Sequence, residues 1–190
     1  MEQDFLREDE WEQVILVGVE TSDAYVREGD FERSMEELIS LAEACFMKPV
    51  AVVTQKMEFI NKGLYIGTGK VQEVKELVKT MEAGLVIFDN SLTPSQLRNL
   101  QEELECPVMD RTNLILDIFE SRAKTREAKL QVETARLQYL LPRLVGMHEA
   151  LTRQGGTSGS MSSRGAGEKK LELDRRRIEH RLAELRRELD

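Results

Sequence analysis

Apolar positions in the first 110 residues fall in short dense runs, separated by longer stretches of helical spacing. Val14-Ile-Leu-Val-Gly-Val19 is β-branched and unbroken by polar residues, which predicts a strand buried on both faces. Phe31, Met35, Leu38, Ile39, Leu41 and Ala42 then recur every three or four residues. They predict a helix with Asp30 as N-cap and Pro49 closing the connection behind it. Val50-Ala-Val-Val-Thr54 predicts a second strand, and Val71, Val74, Leu77, Val78 and Met81 predict a helix over 68–82. Leu85-Val-Ile-Phe88 is the third strand. Thr93-Pro-Ser-Gln96 writes a helix start, with Thr93 as N-cap, Pro94 at the first helical position and Gln96 set to complete a capping box. That helix ends near Cys106-Pro107, and Pro107-Val-Met109 predicts a short fourth strand. Strands alternating with helices in this way build right-handed βαβ units and a parallel sheet.

Beyond Thr112 the period changes. Asn113-Leu-Ile-Leu-Asp-Ile-Phe119 opens a helix, and Leu130, Leu137, Leu144 and Leu151 recur every seven residues. After a gap, Leu171, Ile178 and Leu185 resume the repeat, with Leu182 and Leu189 at the interleaved offset. Two heptad-bearing helices joined by a loop predict an antiparallel coiled-coil hairpin, its first arm kinked at Pro142. The chain therefore reads as α/β: a 1–12 acidic extension, a small parallel-sheet βαβ subdomain at 13–111, and a helical hairpin subdomain at 112–190. A glycine-rich loop at about 153–170 joins the two arms.

Composition narrows the class. With 41% hydrophobic and 33% charged residues, the chain has material for a core and is no disordered or collagen-like sequence. No apolar run approaches the ~20 residues of a membrane-spanning helix. The start, MEQDFLREDEWE, lacks the apolar stretch of a secretory signal, so a cytoplasmic protein is expected, with Cys45 and Cys106 as buried free thiols. The net charge of −8 divides unevenly. Residues 1–110 hold 10 Lys+Arg against 23 Asp+Glu, and residues 111–190 hold 17 against 12. Only the second half suits an anionic partner.

Parallel sheets bind ligands at the carboxyl ends of their strands, here Glu20, Thr54, Asp89-Asn90 and Asp110-Arg111. No G-x-G-x-x-G turn and no Ser/His or paired-carboxylate constellation accompanies them, so they read as turn and cap chemistry. Nucleotide binding at that edge stays open as an alternative. Gly67-Thr-Gly-Lys70 suggests a phosphate loop, but Val71 stands where a Mg²⁺-holding hydroxyl belongs and the eight-residue frame is absent. It reads as a glycine turn that starts a helix. His148 and His180 have no ligating partner at helical spacing, so no metal site and no catalytic residue is expected. The 153–170 segment is different. Five glycines and four serines expose backbone N–H groups there, and Arg153, Arg164, Lys169 and Lys170 supply cations. Arginine can bridge phosphates or stack on bases, which makes this segment, extended by Arg175-Arg-Arg177, a candidate RNA contact. A competing reading has the heptads pair between chains, as a dimerisation or adaptor module.

Several blocks resemble one family. They are Tyr65-Ile-Gly-Thr-Gly-Lys70, Phe88-Asp-Asn-Ser-Leu-Thr-Pro-Ser-Gln-Leu-Arg-Asn-Leu100, Asp110-Arg-Thr-Asn-Leu-Ile-Leu-Asp-Ile-Phe119, Ala128-Lys-Leu-Gln-Val-Glu133, Leu140-Leu-Pro-Arg-Leu144 and Leu171-Glu-Leu-Asp-Arg-Arg-Arg177. In this order they resemble the N-terminal region of the HflX family of ribosome-associated GTPases. The resemblance implies an α/β subdomain, a two-helix subdomain and a C-terminal G domain with GTP and Mg²⁺. No Walker A, D-x-x-G or NKxD-type motif occurs here, so no cofactor and no enzymatic activity are expected of this fragment itself. The implied partners are the large ribosomal subunit with its rRNA and the G domain of the full-length protein. The resemblance also implies that the hairpin loop contacts rRNA near the peptidyl-transferase region. That role carries over onto Arg153, Gln154, Gly155, Gly156, Arg164, Gly165, Gly167, Lys169, Lys170, Arg175 and Arg176. Residues 157–163 are longer and richer in serine than the common family form, and Ala166 replaces the usual proline.

Overall fold

The computed structural model describes residues 11–21, 29–154 and 161–189, those at 145–154 and 161–171 by backbone alone. Contacts divide the chain into two compact units: Met1–Leu92 with Gln96–Ile118, and Phe119–Asp190 with Thr93–Ser95.

The first unit is built on four parallel strands, β1 (Glu12–Thr21), β2 (Met47–Met57), β3 (Leu85–Phe88) and β4 (Val108–Asp110), in the order β2-β1-β3-β4. Helices α1 (Asp30–Ala44), α2 (Thr68–Thr80) and α3 (Pro94–Leu104) connect them, and α4 (Arg111–Arg122) follows β4. Alternation along the central strands explains the unbroken apolar runs, because both faces are covered. Val14, Leu16, Leu85 and Ile87 meet Phe31, Met35, Leu38 and Ala42 of α1 and Leu114 of α4. Ile15, Val17, Val86 and Phe88 on the opposite face meet Val71, Val74 and Val78 of α2 and Leu100 and Leu104 of α3. Contact between α1 and β1 is close enough to require glycine. A Cβ on Gly18 would stand 2.3 Å from Met35 Sδ and 3.1 Å from the Phe31 ring.

The elements follow the apolar pattern, with four departures. Both β1 and β2 outrun their apolar cores, since Gln55, Lys56 and Met57 still pair with Val19, Glu20 and Thr21. Pro49 lies inside β2 rather than closing a connection. It sits where the register slips from Val14↔Pro49 to Ile15↔Ala51, and a bulge accommodates the missing N–H. Gly29, at φ 82°, is the N-cap of α1, and Asp30 is its first helical residue. The helix opened by Asn113 is a separate element, α4. The chain leaves helix at 123–125, and α5 (Arg126–Gln154) starts with Thr125 Oγ1 accepting the Ala128 N–H.

In the second unit α5 runs as helix through Pro142 and packs on α6 (Met161–Leu189). Leu182 and Leu185 of α6 are buried. Two ion pairs cross between the helices, Arg126 with Glu188 at 3.1 Å and Arg181 with Glu133 at 2.7 Å. The start of α6 corrects the expected loop: residues 161–170 are helical. Gly165 and Gly167 disfavour helix by about 1 kcal/mol each relative to alanine, but Glu168, Lys169 and Lys170 behind them are strong helix formers.

Candidate functional site

The RNA candidates of the sequence fall at two helix ends and one helix interior. Arg153 and Gln154 are the last two residues of α5. Gly155 and Gly156 lie outside the described residues. Arg164, Gly165, Gly167, Lys169 and Lys170 occupy the first ten residues of α6, where the backbone alone is described. Arg175 and Arg176 lie one to two turns further on, and their guanidinium groups are tied along the helix. Arg175 Nε donates to Glu179 Oε1 at 3.0 Å, and Arg176 Nε donates to Glu172 Oε1 at 2.9 Å. The Glu179 and Glu172 carboxylates raise the Arg175 pKa. Arg177 donates to Asp174.

At the carboxyl edge of the sheet, the residues singled out in the sequence satisfy one another. Asp89 at the end of β3 is buried. Its Oδ1 accepts from Arg111 Nη1 at 2.6 Å and its Oδ2 from the Ser34 hydroxyl at 2.7 Å. Arg111 also reaches Ser34 Oγ at 2.8 Å and Glu37 Oε2 at 2.5 Å. Burial opposes the charge on Arg111, but Glu37 and Asp89 outweigh it and raise its pKa. Asp110, also buried, closes the end of β4. Its Oδ1 accepts the Asn113 N–H and caps α4, while its Oδ2 accepts the Leu92 N–H. Asn90 occupies the crevice between β1 and β3, the position where an open α/β sheet binds ligands. There Val19 N–H donates to Asn90 Oδ1 at 2.9 Å, and Asn90 Nδ2 donates to Val19 O at 3.3 Å. The side-chain amide thus continues the ladder across the crevice between β1 and β3. Sequence reasoning named Asp89, Asn90, Asp110 and Arg111 as turn and cap residues but missed that an arginine links them to α1. An acid at the end of each of two neighbouring strands, the second followed by arginine, was the available signal.

The Gly67-Thr-Gly-Lys70 segment is a helix start. Gly67 is the N-cap of α2 with its N–H donated to Gln55 Oε1, and Lys70 pairs with Glu73 at 2.7 Å. The loop before it is held by side chains. Asn61 Oδ1 accepts the N–H groups of Gly63 and Leu64, Gln96 Nε2 donates to Asn61 O and Lys62 O, and Asn99 Nδ2 donates to Gly63 O. Burial pushes the Tyr65 phenol up, and the Asp89 charge adds to that. These groups do not fit a bound GTP with Mg²⁺, because the lysine is engaged and no hydroxyl follows it. In the second unit a groove of about 360 Å³ is lined by Glu120, Ala123, Lys129, Val132, Glu133 and Arg136. Its acids are paired, Glu120 with Arg136 and Glu133 with Arg181. Among the described residues no cluster of metal-ligating side chains occurs, and no helix is long and apolar enough to cross a membrane.

Comparison with known proteins gives this geometry a family. Residues 32–120 match a model described as GTP-binding GTPase N-terminal, and residues 122–190 match one described as GTP-binding GTPase Middle Region. A GTPase HflX from Alkalihalophilus pseudofirmus is 51% identical over 94% of this chain, and one from Lacrimispora saccharolytica is 47% identical over the same share. The GTPase HflX of Escherichia coli is 39% identical over 98%. This chain covers 41%, 41% and 42% of those relatives. Among solved structures, the SsGBP–GDP complex superimposes with a TM-score of 0.62 over 94% of this chain and 43% of its own, at 24% identity. A GTP-binding protein from the hyperthermophilic archaeon Sulfolobus solfataricus in complex with GDP gives 0.57 over 92% and 46%, at 23% identity. Those two likenesses establish the fold. With both family models matched in order along 32–190, the chain belongs to the HflX family of GTP-binding proteins and carries its N-terminal and middle regions.

Proposed function

We propose that this chain is the ribosome-docking part of an HflX-type GTPase. Its two-helix subdomain brings the segment about 153–170, with Arg175 and Arg176, against rRNA of the large subunit near the peptidyl-transferase region. The chain acts in the cytoplasm and is not itself an enzyme. GTP and Mg²⁺ belong to the G domain of the full-length protein, which is also its partner.

The observation that carries the reading is the pair of ion bridges between α5 and α6. Position 126 meets 188, and position 133 meets 181. Seven residues forward on one helix answer seven residues back on the other, as in an antiparallel coiled-coil hairpin with one heptad between contacts. In such a hairpin the end of α5 and the start of α6 share one tip. Arg153 and Arg164 then lie near that tip, and Lys169 and Lys170 follow within about three turns along α6. The engagement of Asn90 with the Val19 backbone, and of Asp89 and Arg111 with each other, argues against the alternative of a nucleotide site at the sheet edge.

Co-sedimentation with purified large ribosomal subunits tests the reading. Four tip cations predict a slope of log K against log salt of magnitude about 3, at roughly 0.7–0.9 per phosphate contact. Replacing Arg153, Arg164, Lys169 and Lys170 together by Ala is expected to weaken binding and flatten that slope. Wild-type affinity and slope in the quadruple variant would refute the tip as the contact.

A further inference from the structure

We propose that the outward face of α6, from Arg176 to Arg187, is a second phosphate-binding surface that grips structured RNA alongside the tip. This deepens the ribosome-docking reading and rests on it. Leu182 and Leu185 are buried and Ile178 is half-buried, which fixes the inward side of α6. Arg176 stands nine residues from Leu185, and Arg187 stands nine from Ile178. Nine residues are two and a half turns, so both arginines lie opposite the inward side. Arg176, His180, Ala183 and Arg187 follow the spacing i, i+4, i+7, i+11 of a single helix face, and all four are exposed. No acid interrupts that stripe. Arg176 is 70% exposed and is held by Glu172 alone among the described residues, while Arg187 forms no ion pair with any of them. Two arginines about 16 Å apart along a straight rod, with a small alanine between them, leave room for a second rod to lie close.

Residue choice supports phosphate as the ligand. Every lysine-or-arginine position of α6 from 172 to 189 is arginine: Arg175, Arg176, Arg177, Arg181, Arg186 and Arg187. The exposed cations of the first unit, by contrast, are mostly lysines, among them Lys48, Lys56, Lys62 and Lys79. Lysine suffices for a solvated surface, whereas the planar fork of arginine binds phosphate through two N–H groups at once. Arg181 is committed to Glu133, and Arg175, Arg177 and Arg186 stand about a quarter-turn or more around α6 from the outward stripe. Arg176 and Arg187 are the cations on that stripe, and the exposed pair of Arg176 with Glu172 is weak enough for phosphate to replace. Sequence reasoning had ended the basic strip at Arg177, because Arg187 joins it only when the inward side of α6 is known.

The test uses the whole chain with R176Q/R187Q, measuring binding to purified large ribosomal subunits and to a short A-form RNA duplex across a salt series. Loss of two phosphate contacts is expected to lower the slope of log K against log salt by about 2 and to weaken binding roughly tenfold or more. The R176K/R187K variant is expected to keep the slope and recover only part of the affinity. Full recovery by lysine overturns the two-pronged contact. If the unaltered chain binds and R176Q/R187Q matches it in affinity and slope, this face is refuted while docking through the tip stands. If the unaltered chain binds neither ligand, the docking reading itself fails.

Discussion

Removing Arg111 tests whether the carboxyl edge of the sheet is a structural lock. The Asp89 side chain is 2% exposed, and Arg111 bridges it at 2.6 Å. R111M keeps the length and apolar stem of the side chain but removes the cation from a buried carboxylate that still accepts from the Ser34 hydroxyl. Breaking a buried pair in this way costs about 3–5 kcal/mol. The Glu37 contact adds little, because that carboxylate is 65% exposed. At a urea slope of about 1.5 kcal/mol per M, the midpoint is expected to fall by about 2 M or more. Trp11 provides the assay. It is the single tryptophan and packs edge-on against Phe46 at 5.8 Å between ring centroids, within the first unit. Its fluorescence follows that unit while circular dichroism follows all helices. Replacing both partners, D89L/R111M, removes the stranded charge and is expected to recover most of the loss, since apolar replacement of a buried pair is often close to neutral. A loss under about 1 kcal/mol in R111M, or a double variant as weak as the sum of the singles, would refute the reasoning.

Two further changes probe the second unit. Leu182→Asp buries a charge at a position 5% exposed and is expected to destabilise the α5–α6 pair by about 3 kcal/mol or more, leaving the Trp11 transition unmoved; coincident loss in both signals would contradict the two-unit division. The hydrogen bond from Arg181 holds the Glu133 carboxyl below its usual range. Its contribution is thus present above the ordinary carboxylate range and lost as pH falls through the lowered value. Because Glu133 is 40% exposed, that contribution is at most about 1 kcal/mol, and Glu133→Gln is expected to flatten the acid limb of a helix-unfolding curve. An unchanged acid limb would remove the pair from the account.

Legibility in the sequence followed local punctuation. The third strand, Leu85–Phe88, and the start of α3 at Pro94 stand where predicted, because Gly84 and Thr93-Pro94 bound them. The ends of β2 were invisible, since Lys48, Gln55 and Lys56 on a half-exposed strand carry no apolar signal. The break between α4 and α5 was hidden too: Ala123-Lys-Thr125 contains neither glycine nor proline. At the sheet edge, each residue was legible as a type, but the Asp89–Arg111–Ser34 connection joins positions 22 to 77 apart in the chain and needs the fold. The cations of the 153–170 segment were legible by composition, whereas their helical phase from 161 onward was masked by two glycines.

The bulge at Pro49 bears on solubility as well as on pairing. Among the described strands, β2 pairs on one side only, with β1, so it borders a sheet whose free row of N–H and C=O groups could template another chain. Its centre, Val50-Ala-Val-Val53, has the composition of an aggregating segment. The bulge at Pro49 throws the edge out of regular step, and Lys48 and Lys56 make a matching copy repulsive. The same irregularity that spoils an ideal ladder inside the unit keeps two molecules from adding sheets edge to edge.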